Sequence, residues 1–446
     1  MPSPHDKNNT SKMTDRQDPE EKAHEELSQH NHSQSRSASI QITRRTDLST
    51  LYKIVRTLIR PLRPRLVKLG KDIPAGSQRL SAPKRRGCEV IENQREGVWE
   101  YTFRHVEASQ IQSQTRSRSQ SQFDNDKPIR MSNAAKTSSP TSTSPSSKKQ
   151  KHRIYYFSGG GFQSPPSSGH WLLLAKLAKD LQLSSSETES TEFEVTMVSP
   201  PLAPASPAPD ALPVLRRWVT SVLDDAVQRS DSTESTETVT VTLAGDSSGA
   251  NVALSLGMWA VQELPEQASR ALSSIFAISP PVDLRNVNEE IKVADRYDPI
   301  LTIGLTGDVA CAWVGGVESN KRPGNTTTTT ATSTLGEKMS TSDPSVSPLL
   351  HSDKVFENLR NCNVCVHGVV GTHDVLAPDA LEMMRKCDRF GVLGEWLVWE
   401  GQMHCFPLAG VGDILGLREG KEGRMWIEDV LKRNVARSRS QETVSV

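Results

Sequence analysis

The chain has 446 residues, 53 basic and 53 acidic side chains and a formal net charge of zero, so no global field draws it to nucleic acid. Its length admits two or three domains. The apolar residues are unevenly spread, however, and the segments that hold them add up to about 300 residues, enough for one large α/β domain with a cap.

Residues 1–45 open on a run rich in His, Gln, Ser, Asp and Glu with almost no apolar periodicity. Such a stretch buries too little apolar surface to offset its ordering entropy and is expected to be a disordered tail, with one domain following over 46–446. Within 46–69, Leu48, Leu51, Val55, Leu58, Ile59 and Leu62 fall at helical spacing, Asp47 or Ser49 is suited to cap the start, and Pro61 and Pro64 break the end. Lys53, Arg56, Arg60, Arg63 and Arg65 occupy its other face. The segment is read as part of a helical cap over 46–87, its apolar stripe packed over the core and its basic face solvated. Its basic, amphipathic pattern also suits peripheral contact with anionic lipid.

Two short β patterns, CEVIE (88–92) and GVWEYTF (97–103), form an expected hairpin. Low-complexity inserts follow at about 107–151 and again at 318–342. The Arg/Ser repeats at 115–121 are read as a solvated insert, with RNA contact or phosphorylation as the alternative. Between and after these tracts, strand-like segments (RIYYF, FEVTMV, TVTVTLA, LSSIFAIS, VCVHGVV, EWLVWE) alternate with helix-like ones at 170–183, 211–228, 249–264, 378–390 and 422–433. That alternation implies a mostly parallel, doubly wound central sheet with helices on both faces. Ligands then sit where the strands end.

Six cysteines (88, 311, 362, 365, 387, 405) show no framework spacing, and Cys362-Asn363-Val364-Cys365 has no second pair beside it, so buried free thiols are expected rather than zinc or redox chemistry. The N-terminus lacks a charged-then-apolar export pattern, and no apolar run approaches the ~18–20 residues that span a bilayer. The chain therefore reads as intracellular, either soluble or peripheral on an internal membrane.

The chemistry gathers at the strand exits. Gly245-Asp246-Ser247-Ser248-Gly249 lies between the strand TVTVTLA and a helix, the setting of a nucleophile elbow in which Ser247 is the candidate nucleophile. Small residues are needed there because the turn is tight. The helix N-terminus behind Ser247 presents free N–H groups to a developing oxyanion. Ser158-Gly159-Gly160-Gly161-Phe162 follows RIYYF, and three consecutive glycines bring backbone amides close to a substrate. An acid and then a base must follow the nucleophile. Asp374 leaves VCVHGVV and His404 leaves EWLVWE, in that order, so Asp374 is suited to orient His404, and His404 to deprotonate Ser247. His373 and Asp379 are the nearest competitors.

These motifs resemble the hormone-sensitive-lipase-like, or fold-3, group of α/β-hydrolases over roughly 150–435, with a helical N-terminal cap. SGGGF stands where the group has HGGGF, GDSSGAN resembles its GDSAGGN, YDPILT and DPSVSPLL resemble its DP-x-L and DP-x-x-SPL segments, and GTHDVLAPDA and GQMHCF match its acid and base motifs. Two departures stand out: Ser158 replaces the first His, and the YRLAPE segment keeps only Leu202-Ala203-Pro204. The resemblance implies an α/β-hydrolase fold and hydrolysis of small-molecule or lipid carboxylic esters without metal or organic cofactor. It also implies an oxyanion hole from the amides of Gly160, Gly161 and Ser248, with Phe162 beside the substrate. The alternatives are a catalytically weak or inactive ligand-binding protein on the same scaffold, as in receptors of the gibberellin type, and a membrane-apposed lipid or steryl ester hydrolase.

Overall fold

Strand β1 (Ile40–Arg45) opens the fold, followed by α1 (Thr50–Ile59), a 3-10 turn at Arg60–Leu62 and the short α2 (Arg63–Leu66). In this computed structural model the described residues are 39–67, 70, 73–83, 87–105, 149–183, 191–232, 237–316, 339–410 and 416–442. The remaining elements, in chain order, are strands β2 (Cys88–Arg95), β3 (Val98–His105) and β4 (Lys149–Phe157), α3 (Ser168–Leu183), β5 (Thr191–Ser199), α4 (Ala208–Asp231), β6 (Glu237–Asp246), α5 (Ser248–Glu263), α6 (Pro265–Ala271) and β7 (Leu272–Ile278). Then come α7 (Glu290–Asp295), α8 (Ile303–Trp313), α9 (Asp353–Asn361), β8 (Cys365–His373), α10 (Ala377–Arg389), β9 (Gly394–Met403) and α11 (Arg418–Glu442).

Among the described residues the strands make one nine-stranded sheet in the order β1-β9-β8-β7-β6-β4-β5-β3-β2. Only the β2–β3 and β3–β5 pairs are antiparallel. The neighbours β9, β8, β7, β6 and β4 all run parallel, so their carboxyl ends open on one edge of the sheet. Side chains alternate along each strand. Tyr155 and Phe157 of β4 join the core beneath α4, α5, α9 and α10, while Ile154 and Tyr156 join the core beneath α1, α3 and α11. The sheet is thus covered on both faces, as strand-helix alternation requires. A small third cluster of Ile291, Leu301, Val375 and Leu376 packs α7 and the segment before α8 against the loop after β8.

The N-terminal boundary differs from the sequence expectation. Residues 40–45 are not tail but an edge strand, pairing parallel with β9 from Ile40↔Gly394 to Arg45↔Trp399. Ile40 is buried, and its amide donates to Asp388 Oδ1 at 3.0 Å. The preceding polar run lent its composition to a strand whose Gln41, Thr43 and Arg44 remain exposed. The expected insert at 107–151 likewise ends earlier, because β4 already begins at Lys149. The tail through residue 38, the tract 106–148 and residues 317–338 lie outside the described residues.

The cap is less helical than its pattern suggested. Among the described residues of 46–87, helix is confined to Thr50–Leu66, and residues 73–83 run without it among Pro74, Gly76 and Pro83. Ser49 is the cap of α1, its Oγ accepting from the Tyr52 amide at 3.1 Å, while Asp47 pairs with Arg45 instead. Leu51, Leu58 and Leu62, expected on the buried face, are exposed, because α1 docks through Tyr52 and Val55. Cys362 and Cys365 are free and buried on either side of the turn into β8.

Edge strand β1 gives a direct test of the new boundary. Ile40→Ala should lower unfolding free energy by about 2–4 kcal/mol in urea titrations, while the exposed neighbour substitution Gln41→Ala should stay within about 0.5. Equal midpoints for the two variants would mean that β1 does not pack on β9.

Candidate active site

Ser247 sits at the turn between β6 and α5 with φ 52° and ψ −127°, a left-handed conformation that a side chain rarely adopts. Its amide donates to the Ile278 carbonyl of β7 at 2.8 Å, which fixes the turn against the neighbouring strand. The flanking glycines are required by crowding. A Cβ at Gly249 would run into the Phe157 carbonyl, and one at Gly245 would meet both that carbonyl and the Gly249 backbone. The exits of β4 and β6 are in contact there, so the Gly-rich loop and the nucleophile turn touch.

That loop takes its shape from the same contact. Gly160 and Gly161 have φ 153° and 61°, and the amides of Gln163 and Ser164 both return to the Gly160 carbonyl at 3.1 and 3.0 Å. The Gly159 amide donates to Asp246 Oδ1 at 2.9 Å. Among the described residues no acceptor takes the amides of Gly160 and Gly161, and the Ser248 amide, in the first turn of α5, has no partner within the helix. Ser158 is buried at the end of β4, and Ala203 of the retained Leu-Ala-Pro segment donates its amide to the Phe162 carbonyl at 2.8 Å. Phe162 stacks on Trp313 with ring centroids 4.5 Å apart.

The candidate base and acid come from the exits of β9 and β8. His404 Nδ1 lies 2.8 Å from Oδ2 of the fully buried Asp374, whose Oδ1 accepts from the Leu376 amide at 2.9 Å. Burial works to lower the His404 pKa, but the Asp374 carboxylate outweighs it, and the imidazole is held well above the usual histidine value. The other ring nitrogen, Nε2, lies 3.4 Å from the Cys405 thiol, and among the described residues it makes no hydrogen bond to Ser247 Oγ. Burial pushes that thiol up to about 11, so it is a neutral SH group. Ser247, His404, Gly160, Gly161, Ser248 and Phe162 line one cavity of about 390 Å³, while Asp374 stands behind it.

The competitors are engaged elsewhere. His373 accepts from Arg56 Nη1 at 2.8 Å and stacks on Tyr297, and burial together with Arg56 depresses its pKa to about 4. Asp379 accepts from Asn288 at 2.8 Å on α10. Among the described residues, no group of three or more His, Cys, Asp or Glu side chains is arranged to hold a metal ion.

Two carboxylates to which sequence reasoning gave no role shape the site. Asp246, inside the elbow itself, accepts from Tyr156 Oη at 2.8 Å and from Gly159, and pairs with His170 Nε2 at 3.2 Å. Burial would raise its pKa, but His170 and these bonds hold it below the usual carboxylate range. Asp298 accepts from the amides of Val375, Ile300 and Leu301 at 2.8, 2.6 and 2.8 Å, tying the loop after Asp374 to the segment between α7 and α8. Its own carboxyl is raised to about 6 by burial and by the nearby Asp374. The Asp298-Pro299 step is a turn signal in the sequence, whereas His170 lies in an ordinary helical pattern with no signal of its own.

With this geometry in hand, a family model of the alpha/beta hydrolase fold matches residues 154–408, more than half of the chain. The chain belongs to that family. It is the fold-3 family that includes the hormone-sensitive-lipase-like esterases, and the match spans every loop of the cavity from Gly159 to His404. An esterase from Acinetobacter venetianus is 23% identical over 255 residues, which is 57% of this chain and 67% of that protein. Carboxyl esterase 2 from the mycorrhizal fungus Tuber melanosporum aligns over 86% of this chain and 97% of its own, with 16% identity and a TM-score of 0.53. A hormone-sensitive lipase from a metagenome library aligns over 84% of this chain and 92% of its own, with 18% identity and a TM-score of 0.50. At these identities the structural likeness is one of fold.

The crowding at the α/β-hydrolase elbow makes a clear prediction. Gly249→Ala must push its methyl group into the Phe157 carbonyl, and the overpacking should cost about 1–3 kcal/mol in urea unfolding. An unchanged midpoint would show that the β4 and β6 exits are not in tight contact.

Proposed function

We propose that the protein is a serine hydrolase that cleaves carboxylic esters through an acyl-enzyme. The observation that carries this reading is the 2.8 Å pairing of His404 with buried Asp374 at the rim of a cavity that also holds Ser247 and three unengaged amides. In this reading Ser247 Oγ attacks the ester carbonyl while His404 Nε2 takes its proton. Asp374 holds the imidazole by Nδ1 and stabilises the imidazolium. The amides of Gly160, Gly161 and Ser248 receive the developing oxyanion. His404 then protonates the leaving alcohol, and water repeats the sequence in reverse roles to free the acid. Since the Cys405 thiol is the neighbour of His404 Nε2, the imidazole must turn from it towards Ser247 when substrate enters.

Substrate chemistry follows from the lining. Leu66, Val67, Phe162, Leu284, Leu305 and Val309 make most of the wall apolar, which favours an ester with an uncharged, apolar acyl or alcohol part. A cavity of about 390 Å³ holds a small to medium ligand of that kind.

Two measurements test the reading. Ser247→Ala should lower turnover of p-nitrophenyl butyrate by at least about 10³-fold and abolish fluorophosphonate labelling; wild-type rates in that variant would refute the nucleophile. The catalytically competent His404 is the neutral form, and its pKa is raised. Activity should therefore rise with pH through a midpoint above the ordinary histidine value of 6.5 and be lost as pH falls below it. Asp374→Asn removes the raising charge, so its midpoint should move to lower pH while kcat drops by about 10⁴-fold. A midpoint unmoved by that substitution would dissociate Asp374 from His404.

A further inference from the structure

A helix on the surface of a soluble domain normally turns its apolar stripe inward. The segment from α1 to α2 does the reverse. Leu51, Ile54, Leu58, Leu62 and Leu66, spaced by three and four residues, are 49%, 52%, 67%, 50% and 41% exposed. What fastens the segment is largely its polar side. Tyr52 Oη and Arg56 Nη1 donate to the Gly401 carbonyl at 2.9 and 3.2 Å, Arg60 donates to the Arg296 carbonyl, and Arg63 pairs with Asp295 at 2.6 Å. The arginines hold the cap down and the leucines face out. Val293 and Tyr297, on the neighbouring segment that Arg60 and Arg63 grip, are also more than half exposed.

The stripe leads to the active-site cavity. Leu66 is both part of the exposed row and part of the wall that contains Ser247 and His404. Charge narrows what can cover it. From Leu48 to Lys71 the chain carries seven cations (Lys53, Arg56, Arg60, Arg63, Arg65, Lys68, Lys71) and no carboxylate. Two copies packed stripe to stripe would bring two such cation-rich segments together, whereas an anionic bilayer attracts the net positive charge that remains after Arg63 pairs with Asp295. Glu289, just before α7, is paired with Lys292, and Glu290 beside it is exposed.

We propose that this face docks on an anionic lipid bilayer, the apolar row entering the boundary between headgroups and acyl chains with the cavity mouth turned to the membrane. Resting on the ester-hydrolase reading, the consequence is that apolar esters reach Ser247 directly from the lipid phase.

The test is co-sedimentation of the full chain with phosphatidylcholine vesicles made with and without phosphatidylglycerol. Wild-type protein should pellet with the phosphatidylglycerol vesicles, less with phosphatidylcholine alone, and less again in high salt. The double substitution Ile54→Asp, Leu58→Asp should cut the bound fraction at least about tenfold. It should leave Tm and p-nitrophenyl butyrate turnover unchanged, because neither side chain lines the cavity. Ser247→Ala should bind vesicles like the wild type, so failure of the catalytic reading and failure of docking are read separately. The proposal falls if the wild type stays in the supernatant with phosphatidylglycerol vesicles, or if the double variant pellets as well as the wild type. It also falls if the wild type is a dimer in size-exclusion chromatography that the double variant breaks without any vesicle binding, which would make a second copy the occupant.

Discussion

The carboxylate of Asp246 holds three pieces of the molecule to one point. It accepts from Tyr156 on β4, from the Gly159 amide of the glycine loop, and pairs with His170 on α3. A buried carboxylate is stable only when its lone pairs are satisfied, so each partner must arrive in position for the others to be tolerated. The result is that the loop carrying Gly160 and Gly161 is registered to the strand end that carries Ser247 to within a hydrogen bond. Asp246 and the turn closed on the Gly160 carbonyl hold the loop that follows Ser158.

Asp298 does the same on the other side of the cavity. Its two oxygens collect amides from the loop after Asp374 and from Ile300 and Leu301 just before α8, so the loop is fastened to a segment that lines the cavity. Next to it, Arg56 and Tyr52 grip the Gly401 carbonyl on the strand that delivers His404. The exits of β8 and β9 are thus braced from outside the sheet, the loop after Asp374 by Asp298 and both His373 and Gly401 by α1.

Much of this was legible in the sequence, for identifiable physical reasons. The central strands read clearly because they are buried on both faces and dense in Val, Ile, Tyr and Phe, and the expected hairpin appears as β2 and β3. Ser247, Asp374 and His404 could be singled out as candidates because each follows directly on such a strand, and a parallel sheet aligns those exits on one edge. What escaped had weak local signals. The polar strand β1 has one buried residue and is specified by its partner β9, not by its own pattern. The short helices α6, α7, α8 and α9 are too brief for periodicity to declare them. The orientation of α1 was misjudged because a helical pattern states which residues share a side but not whether that side meets protein or solvent. His170 and Asp298 act through contacts distant in sequence, which a single chain cannot reveal.

Pairing of the first strand with the last has a consequence for how the molecule comes into being. Ile40 and its partner Asp388 are 348 positions apart, and β1 cannot add to the sheet until β9 exists. During synthesis the N-terminal segment must therefore wait, its hydrogen-bonding edge unpaired, while nearly the whole chain emerges. Closing so long a loop is slow even though its entropic cost grows only logarithmically with length. The strand that leads to His404 is the same one that β1 sheathes, so the sheet edge and the candidate base both depend on a strand made late in synthesis.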